Sequence, residues 1–165
     1  MRTLYLIFAA LTLMTVACNN TDPNPGDPIG EYKNRSDCKY NDIKLMAEGF
    51  DSTRECIQYK YVDNTLMITH VNAGLNCCPE PMNATVTVKD GVITIDETRA
   101  ANNCKCLCLY DVNYTVNELP AGTYIIEAKS MTDLAGDDEL KGTVDLVKNP
   151  EGSFCVARTH YPWGL

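Results

Sequence analysis

Cys104, Cys106 and Cys108 stand at alternate positions in the stretch NNCKCLCLYDVNY, and they belong to a set of nine cysteines in 165 residues. On an extended strand, residues two apart point to one side. The spacing therefore predicts that these three and Tyr110 share a face, while Lys105, Leu107 and Leu109 share the other. Neighbours on such a face have Cα atoms roughly 7 Å apart with parallel side chains, at or beyond the reach of a disulfide, whose Cβ vectors must converge. Each of the three is expected to bond elsewhere, to Cys38, Cys56, Cys77, Cys78 or Cys155, with the two left over pairing together. Cys77 and Cys78 are adjacent, about 3.8 Å apart across a trans peptide and too close for an ordinary bridge. Pro79 biases Cys78 toward an extended backbone. The pair is therefore expected to reach different strands, at least one of them the Cys104 to Cys108 face. Which connectivity is adopted stays open.

A metal is the competing use of these sulfurs. Soft thiolates suit copper(I) or zinc, and Cys104, Cys106 and Cys108 with Cys77 or Cys78 would be the ligands. A tetrahedral zinc needs sulfurs within roughly 4 Å of one another, which a straight strand does not offer at i and i+2. The chain also has no C-x-x-C turn. Covalent stapling in an oxidising compartment is the favoured expectation.

The compartment is written at the start of the chain. MRTLYLIFAALTLMTVAC has one positive charge, an apolar run too short for a permanent span, and small residues before Cys18, the layout of an export signal. Val16, Ala17 and Cys18 resemble the lipobox of bacterial lipoproteins, with Thr15 where leucine is usual; an ordinary signal-peptidase site at Thr15–Ala17 is the alternative. The resemblance implies cleavage before Cys18 and a lipid on its sulfur. Removing Cys18 from the count leaves an even eight, all able to pair. Asn19 avoids the aspartate that resembles an inner-membrane retention signal, so the expected address is the outer membrane. Residues 1–17 are read as the signal and 18–30, rich in Pro, Gly, Asn and Asp, as an extended tether of about 3 Å per residue. Residues 31–165 are read as a single disulfide-rich domain.

Charge narrows the partners. Without Arg2, Lys plus Arg falls from 14 to 13 against 22 Asp plus Glu, a formal balance of −9. Such a surface repels phosphate backbones, and no basic cluster interrupts it, so no nucleic-acid partner is expected. The N-x-S/T matches at Asn19, Asn34, Asn83 and Asn113 are read as chance beside a lipobox.

From Arg54 onward, short alternating runs separated by turn residues predict an all-β, antiparallel, immunoglobulin-like β-sandwich stapled by disulfides. In NATVTVKDGVITIDET a two-residue loop at Asp90-Gly91 pairs Lys89 with Val92, Val88 with Ile93 and Val86 with Ile95. Four branched aliphatics then lie on one face, with Thr87 and Thr94 on the other. A loop at Asp63-Asn64 puts Ile57, Tyr59 and Tyr61 on the face of Leu66, Ile68 and His70. The segment ELPAGTYIIEA resembles the L-x-x-G-x-Y turn and strand of immunoglobulin-like and prealbumin-like domains of bacterial surface proteins, matched by Leu119, Gly122 and Tyr124. The whole pattern is similar to small cysteine-rich lipoproteins of Gram-negative bacteria. That resemblance implies an address and a fold; it implies no activity.

Sites for chemistry are few. Only His70 and His160 are present, and His70, on an apolar strand face, is expected to be a satisfied core histidine rather than a ligand. His160, Tyr161 and Trp163 cluster in the tail, where they either stack on a ligand ring or lid the sandwich. Asp133, Asp137, Asp138 and Glu139 lack calcium-loop spacing. No nucleophile elbow, zincin, Walker or dinucleotide motif occurs. The expectation is a non-catalytic module without cofactor, anchored to the membrane through its N-terminal lipid, that binds an envelope protein or a glycan through loops at one end. The alternatives are the thiolate metal protein and a protease inhibitor presenting the CCPEPMN loop on a stapled frame.

Overall fold

A computed structural model of the chain describes residues 27–39, 51–78, 84–97, 106–130 and 138–158. These form nine strands: β1 (Ile29–Arg35), β2 (Arg54–Val62), β3 (Thr65–Asn76), β4 (Thr85–Lys89), β5 (Val92–Asp96), β6 (Leu107–Asn117), β7 (Thr123–Lys129), β8 (Leu140–Asp145) and β9 (Glu151–Ala157). They build an all-β, two-layer sandwich, stapled by disulfides. One sheet has the order β1-β6-β3-β2-β9 and the other β4-β5-β7-β8. All pairings are antiparallel except β5 with β7. That exception follows from connectivity: the chain leaves the four-stranded sheet after β5, runs back through the other sheet as β6, and returns as β7 in its original direction. β1 begins at Ile29, so Ile29 and Gly30, expected in the tether, belong to the sheet.

Both two-residue hairpins adopt the expected register. Lys89 faces Val92, Val88 faces Ile93 and Val86 faces Ile95; Tyr61 faces Leu66, Tyr59 faces Ile68 and Ile57 faces His70. Asp63 and Asn64 have φ of 49° and 59°, and Asp90 and Gly91 have 51° and 76°. Two successive positive φ values give a turn whose twist matches that of the strands it joins. Asn and Asp tolerate them where branched residues would not.

The inward residues follow from these registers. Ile57, Leu66, Ile68, Leu75 and Tyr114 of the larger sheet share one buried cluster with Ile93, Ile95, Ile126 and Leu140 of the smaller. Each fully buried aliphatic side chain contributes ~1.5–3 kcal/mol of transfer free energy. At both open sides the sheets meet through a glycine. A Cβ on Gly30 of β1 would lie 2.5 Å from the carbonyl oxygen of Val86 on β4, and one on Gly142 of β8 would lie 2.7 Å from the Phe154 ring on β9.

The L-x-x-G-x-Y segment forms a turn that ties one end of the sandwich together. Leu119 is fully buried; its N–H donates to Asn64 O at 2.9 Å, and its carbonyl accepts from Tyr61 Oη at 2.8 Å. Tyr124 Oη donates to Pro120 O at 2.8 Å, folding its ring over Gly122.

A β-bulge in β3 was not expected. Between His70 and Ala73 two residues of β3 oppose one of β6, with Asn72 at φ 62°. The bulge moves the inward face from Leu66, Ile68 and His70 to Ala73 and Leu75, and the same shift sets which cysteine follows inward.

Candidate functional site

The bulge resolves part of the cysteine connectivity. Leu75 pairs with Cys108, so two residues further on Cys77 stands opposite Cys106. Its N–H donates to Cys106 O at 3.0 Å, and the two are bridged with Cα atoms 5.4 Å apart. Cys108, inside the core, bridges to Cys38 at 5.7 Å. Cys56 and Cys155 are direct partners on β2 and β9 and form the third bridge, on the outward face of the larger sheet. Cys78 is also disulfide-bonded. Cys106 and Cys108 thus reach other segments rather than each other, as the strand geometry requires. Four of the cysteines named as metal ligands, Cys77, Cys78, Cys106 and Cys108, are in bridges, and a bridged sulfur has no thiolate to offer a soft cation. Among the described residues no group of three or more His, Cys, Asp or Glu is placed to hold a metal ion.

His70 lies between two acidic side chains in the core. His70 is fully buried, and both its ring nitrogens face carboxylates: Nε2 lies 2.7 Å from Glu55 Oε1 and Nδ1 lies 3.0 Å from Glu97 Oε1. Tyr114 Oη donates to the same Glu97 oxygen at 2.6 Å. Arg158 Nε donates to Glu55 Oε2 at 2.5 Å, and Arg158 Nη1 donates to Asp138 O at 2.7 Å. Two cationic and two carboxyl side chains therefore interlock across β2, β3 and the ends of β5 and β9.

Electrostatics follows this geometry. Burial opposes a charge on His70, but the Glu97 carboxyl and the hydrogen bonds to Glu55 and Glu97 outweigh it and push the imidazole up to about 10. Burial raises the Glu55 carboxyl, yet the hydrogen bond and charge of His70, then Arg158, bring it below its ordinary value. Burial, followed by the Glu97 charge, pushes the Tyr114 phenol up, so it stays protonated and donates. An imidazole that donates from both nitrogens has no lone pair for a substrate proton or a metal. Both ring nitrogens of His70 are satisfied, as expected, within a polar core of larger extent than a lone histidine would need, in which Glu97 Oε2 is buried without a hydrogen-bond partner among the described residues.

Glu55, Glu97 and Arg158 were not among the residues singled out from sequence. Strand parity was their signal. Glu55 continues the inward series Ile57, Tyr59; Glu97 continues Ile93, Ile95; Arg158 continues Phe154, Val156. A second polar knot holds the bulge: Lys39 Nζ lies 2.6 Å from Asp111 Oδ1 and donates to Asn72 Oδ1 at 2.7 Å, while Asn72 Nδ2 donates to Arg54 O at 2.6 Å and Asp51 O at 2.9 Å. These residues border a cleft of about 250 Å³.

The two ends of the sandwich differ. Strands are joined at one end by the short turns 63–64, 90–91, 118–122 and 146–150, and at the other by the longer connections 36–53, 77–84, 97–106 and 130–139. The bridges Cys38–Cys108 and Cys77–Cys106 lie at the long-connection end. β1 enters from the short-turn end, since Ile29 pairs with Asn117 beside the 118–122 turn. Cys18, Cys104, Asp133, Asp137, His160, Tyr161, Trp163 and positions 79–83 of the CCPEPMN loop lie outside the described residues. Asp138 and Glu139 are exposed.

Comparison of the sequence with protein-family models, with curated proteins and with solved structures returns no match.

Proposed function

We propose that this chain is a non-catalytic binding module, held at the outer membrane by a lipid on Cys18, that meets its partner with the long-connection end of the sandwich. The observation that carries this reading is the asymmetry of the two ends. Every longer connection between described strands leaves from the end opposite the entry of β1, so an anchor preceding β1 would sit at the short-turn end, with the other end of the sandwich turned away from it. Recognition residues concentrate on loops held by a rigid scaffold. Bridges at the base of those loops reduce the conformational freedom lost on binding, which favours affinity. The ionisable residues that do come together, Glu55, His70 and Glu97, are sealed in the core, where the two carboxyls take up both ring nitrogens of His70.

Two measurements in whole cells test the reading. Metabolic labelling with an alkyne fatty acid should mark the protein and fail in Cys18→Ala. A photocrosslinking amino acid replacing exposed Asp37 or Glu139, at the long-connection end, should give discrete adducts, whereas the same group replacing exposed Lys148, in the 146–150 turn, should not. Adducts confined to the short-turn end, or none from either, would contradict it.

A further inference from the structure

We propose that the outward face of the five-stranded sheet binds a neutral, hydroxyl-rich glycan through a row of uncharged polar side chains that crosses all five strands. This names a ligand class for the module above and rests on its being a binding protein, but it uses a different surface.

The row is a consequence of register. Ser153 of β9 pairs with Gln58 of β2, Gln58 with Thr69 of β3, Thr69 with Asn113 of β6, and Asn113 with Asn34 of β1. Their chain neighbours Ile57, Ile68 and Val112 are buried, so the row faces out; Ser153, Gln58 and Asn34 are exposed. With neighbouring strands ~4.8 Å apart, the row extends about 19 Å, the length of a short oligosaccharide. Along it Thr69 Oγ1 donates to Asn113 Oδ1 at 2.8 Å and Asn113 Nδ2 donates to Asn34 Oδ1 at 2.7 Å. These contacts orient the central amide before any ligand arrives. A shallow groove of about 580 Å³ runs beside Gln58, Thr69 and Ser153, with Tyr59, Met67 and the Lys60–Glu151 pair on its walls.

The chemistry of the face selects the ligand. Amides and hydroxyls donate and accept at once, which matches sugar hydroxyls. The charges flanking the row are matched with one another: Lys60 with Glu151 at 3.9 Å, Lys39 with Asp111 at 2.6 Å, and Lys33 with Glu31. An anionic polymer therefore finds no cationic track here. Protein-docking patches centre on a dry core of aromatic, Met and Arg side chains; here exposed Met67 and half-buried Tyr59 stand singly beside the charged Lys60 and Glu151, and the five side chains of the row itself are hydroxyl or amide. A neutral face on an acidic protein complements an uncharged polymer.

Native gel electrophoresis of the mature protein through gels containing a soluble neutral glucan, mannan or xylan tests the proposal. At least one polysaccharide should retard the protein, and Gln58→Ala/Ser153→Ala, at exposed positions the fold does not need, should weaken that retardation about tenfold, the effect of two lost neutral hydrogen bonds. Absence of retardation by all three would overturn it. Retardation unchanged in the double variant would overturn it too, by moving the sugar to another surface, and would leave the binding-module reading standing. Failure of the photocrosslinking experiment alone would strike that reading of the loop end and not this face.

Discussion

His70 and Glu97 meet inside the sandwich, Nδ1 to Oε1 at 3.0 Å, with no exposed surface on either side chain. Together with Glu55 and Arg158 they form a buried ionic cluster where an aliphatic pair would suffice for packing. Such a cluster is a weak source of net stability, yet removing one member is severe because a buried charge is left without its counterpart. His70→Leu is accordingly expected to lower unfolding free energy by ~3–5 kcal/mol in urea titrations with the disulfides intact. The double variant His70→Leu/Glu97→Leu, which removes both members of that contact, is expected to be less destabilised than the single one. A larger loss in the double variant would show that the hydrogen bond from Tyr114, rather than the contact with His70, carries most of what Glu97 contributes.

Stability should depend on pH through the same residues. The imidazole is at about 10 folded against 6.5 in its ordinary state, so its contribution is complete below pH 6.5 and is lost as pH rises toward 10. Across that window the folded chain holds one more proton than the unfolded chain, a decline of ~1.4 kcal/mol per pH unit. The Glu55 carboxyl lies below its ordinary 4.5, so its contribution is present above pH 4.5 and is lost as pH falls through its lowered folded value. Thermal melts across pH should show a maximum between about 4.5 and 6.5, and the alkaline decline should disappear in His70→Leu.

The seam between the sheets supplies a sharper structural test. A Cβ at Gly30 would fall 2.5 Å from both the Val86 carbonyl oxygen and the Val86 Cβ. Backbone cannot swing aside as a flexible side chain can. Gly30→Ala should therefore destabilise the domain by ~1–3 kcal/mol, read as a lower urea midpoint with unchanged slope.

Much of the scaffold was legible because turn chemistry and alternation agree. Asp90-Gly91 and Asp63-Asn64 each specify a two-residue hairpin, and the strands they join have one register that puts Ile93, Ile95, Ile57 and Ile68 together. The parallel β5–β7 pair was not legible, since it depends on β6 crossing to the opposite sheet, a choice made by tertiary packing. The bulge at Asn72 was hidden for a related reason: its stabilising partners, Lys39, Asp111 and the carbonyls of Asp51 and Arg54, are distant in sequence. Without the bulge the register would set Asn76 opposite Cys106 and Cys78 opposite Cys104, and parity would turn Cys78 rather than Cys77 inward, which is why spacing alone left the connectivity open. The ionic cluster shared the difficulty in part. Parity turned Glu55 and Glu97 inward, but nothing local announced that they converge on one histidine.

The central claim is that the body cysteines are consumed in bridges that stiffen one end of a binding scaffold. Intact mass of the purified mature protein, denatured with iodoacetamide before and after reduction, tests it most directly. The account predicts no carbamidomethyl groups without reductant and eight with it, with proteolytic fragments joined as Cys38–Cys108, Cys56–Cys155, Cys77–Cys106 and, for the one remaining pair, Cys78 with Cys104. Several labelled cysteines in the unreduced protein, or a stoichiometric metal released on denaturation, would contradict it.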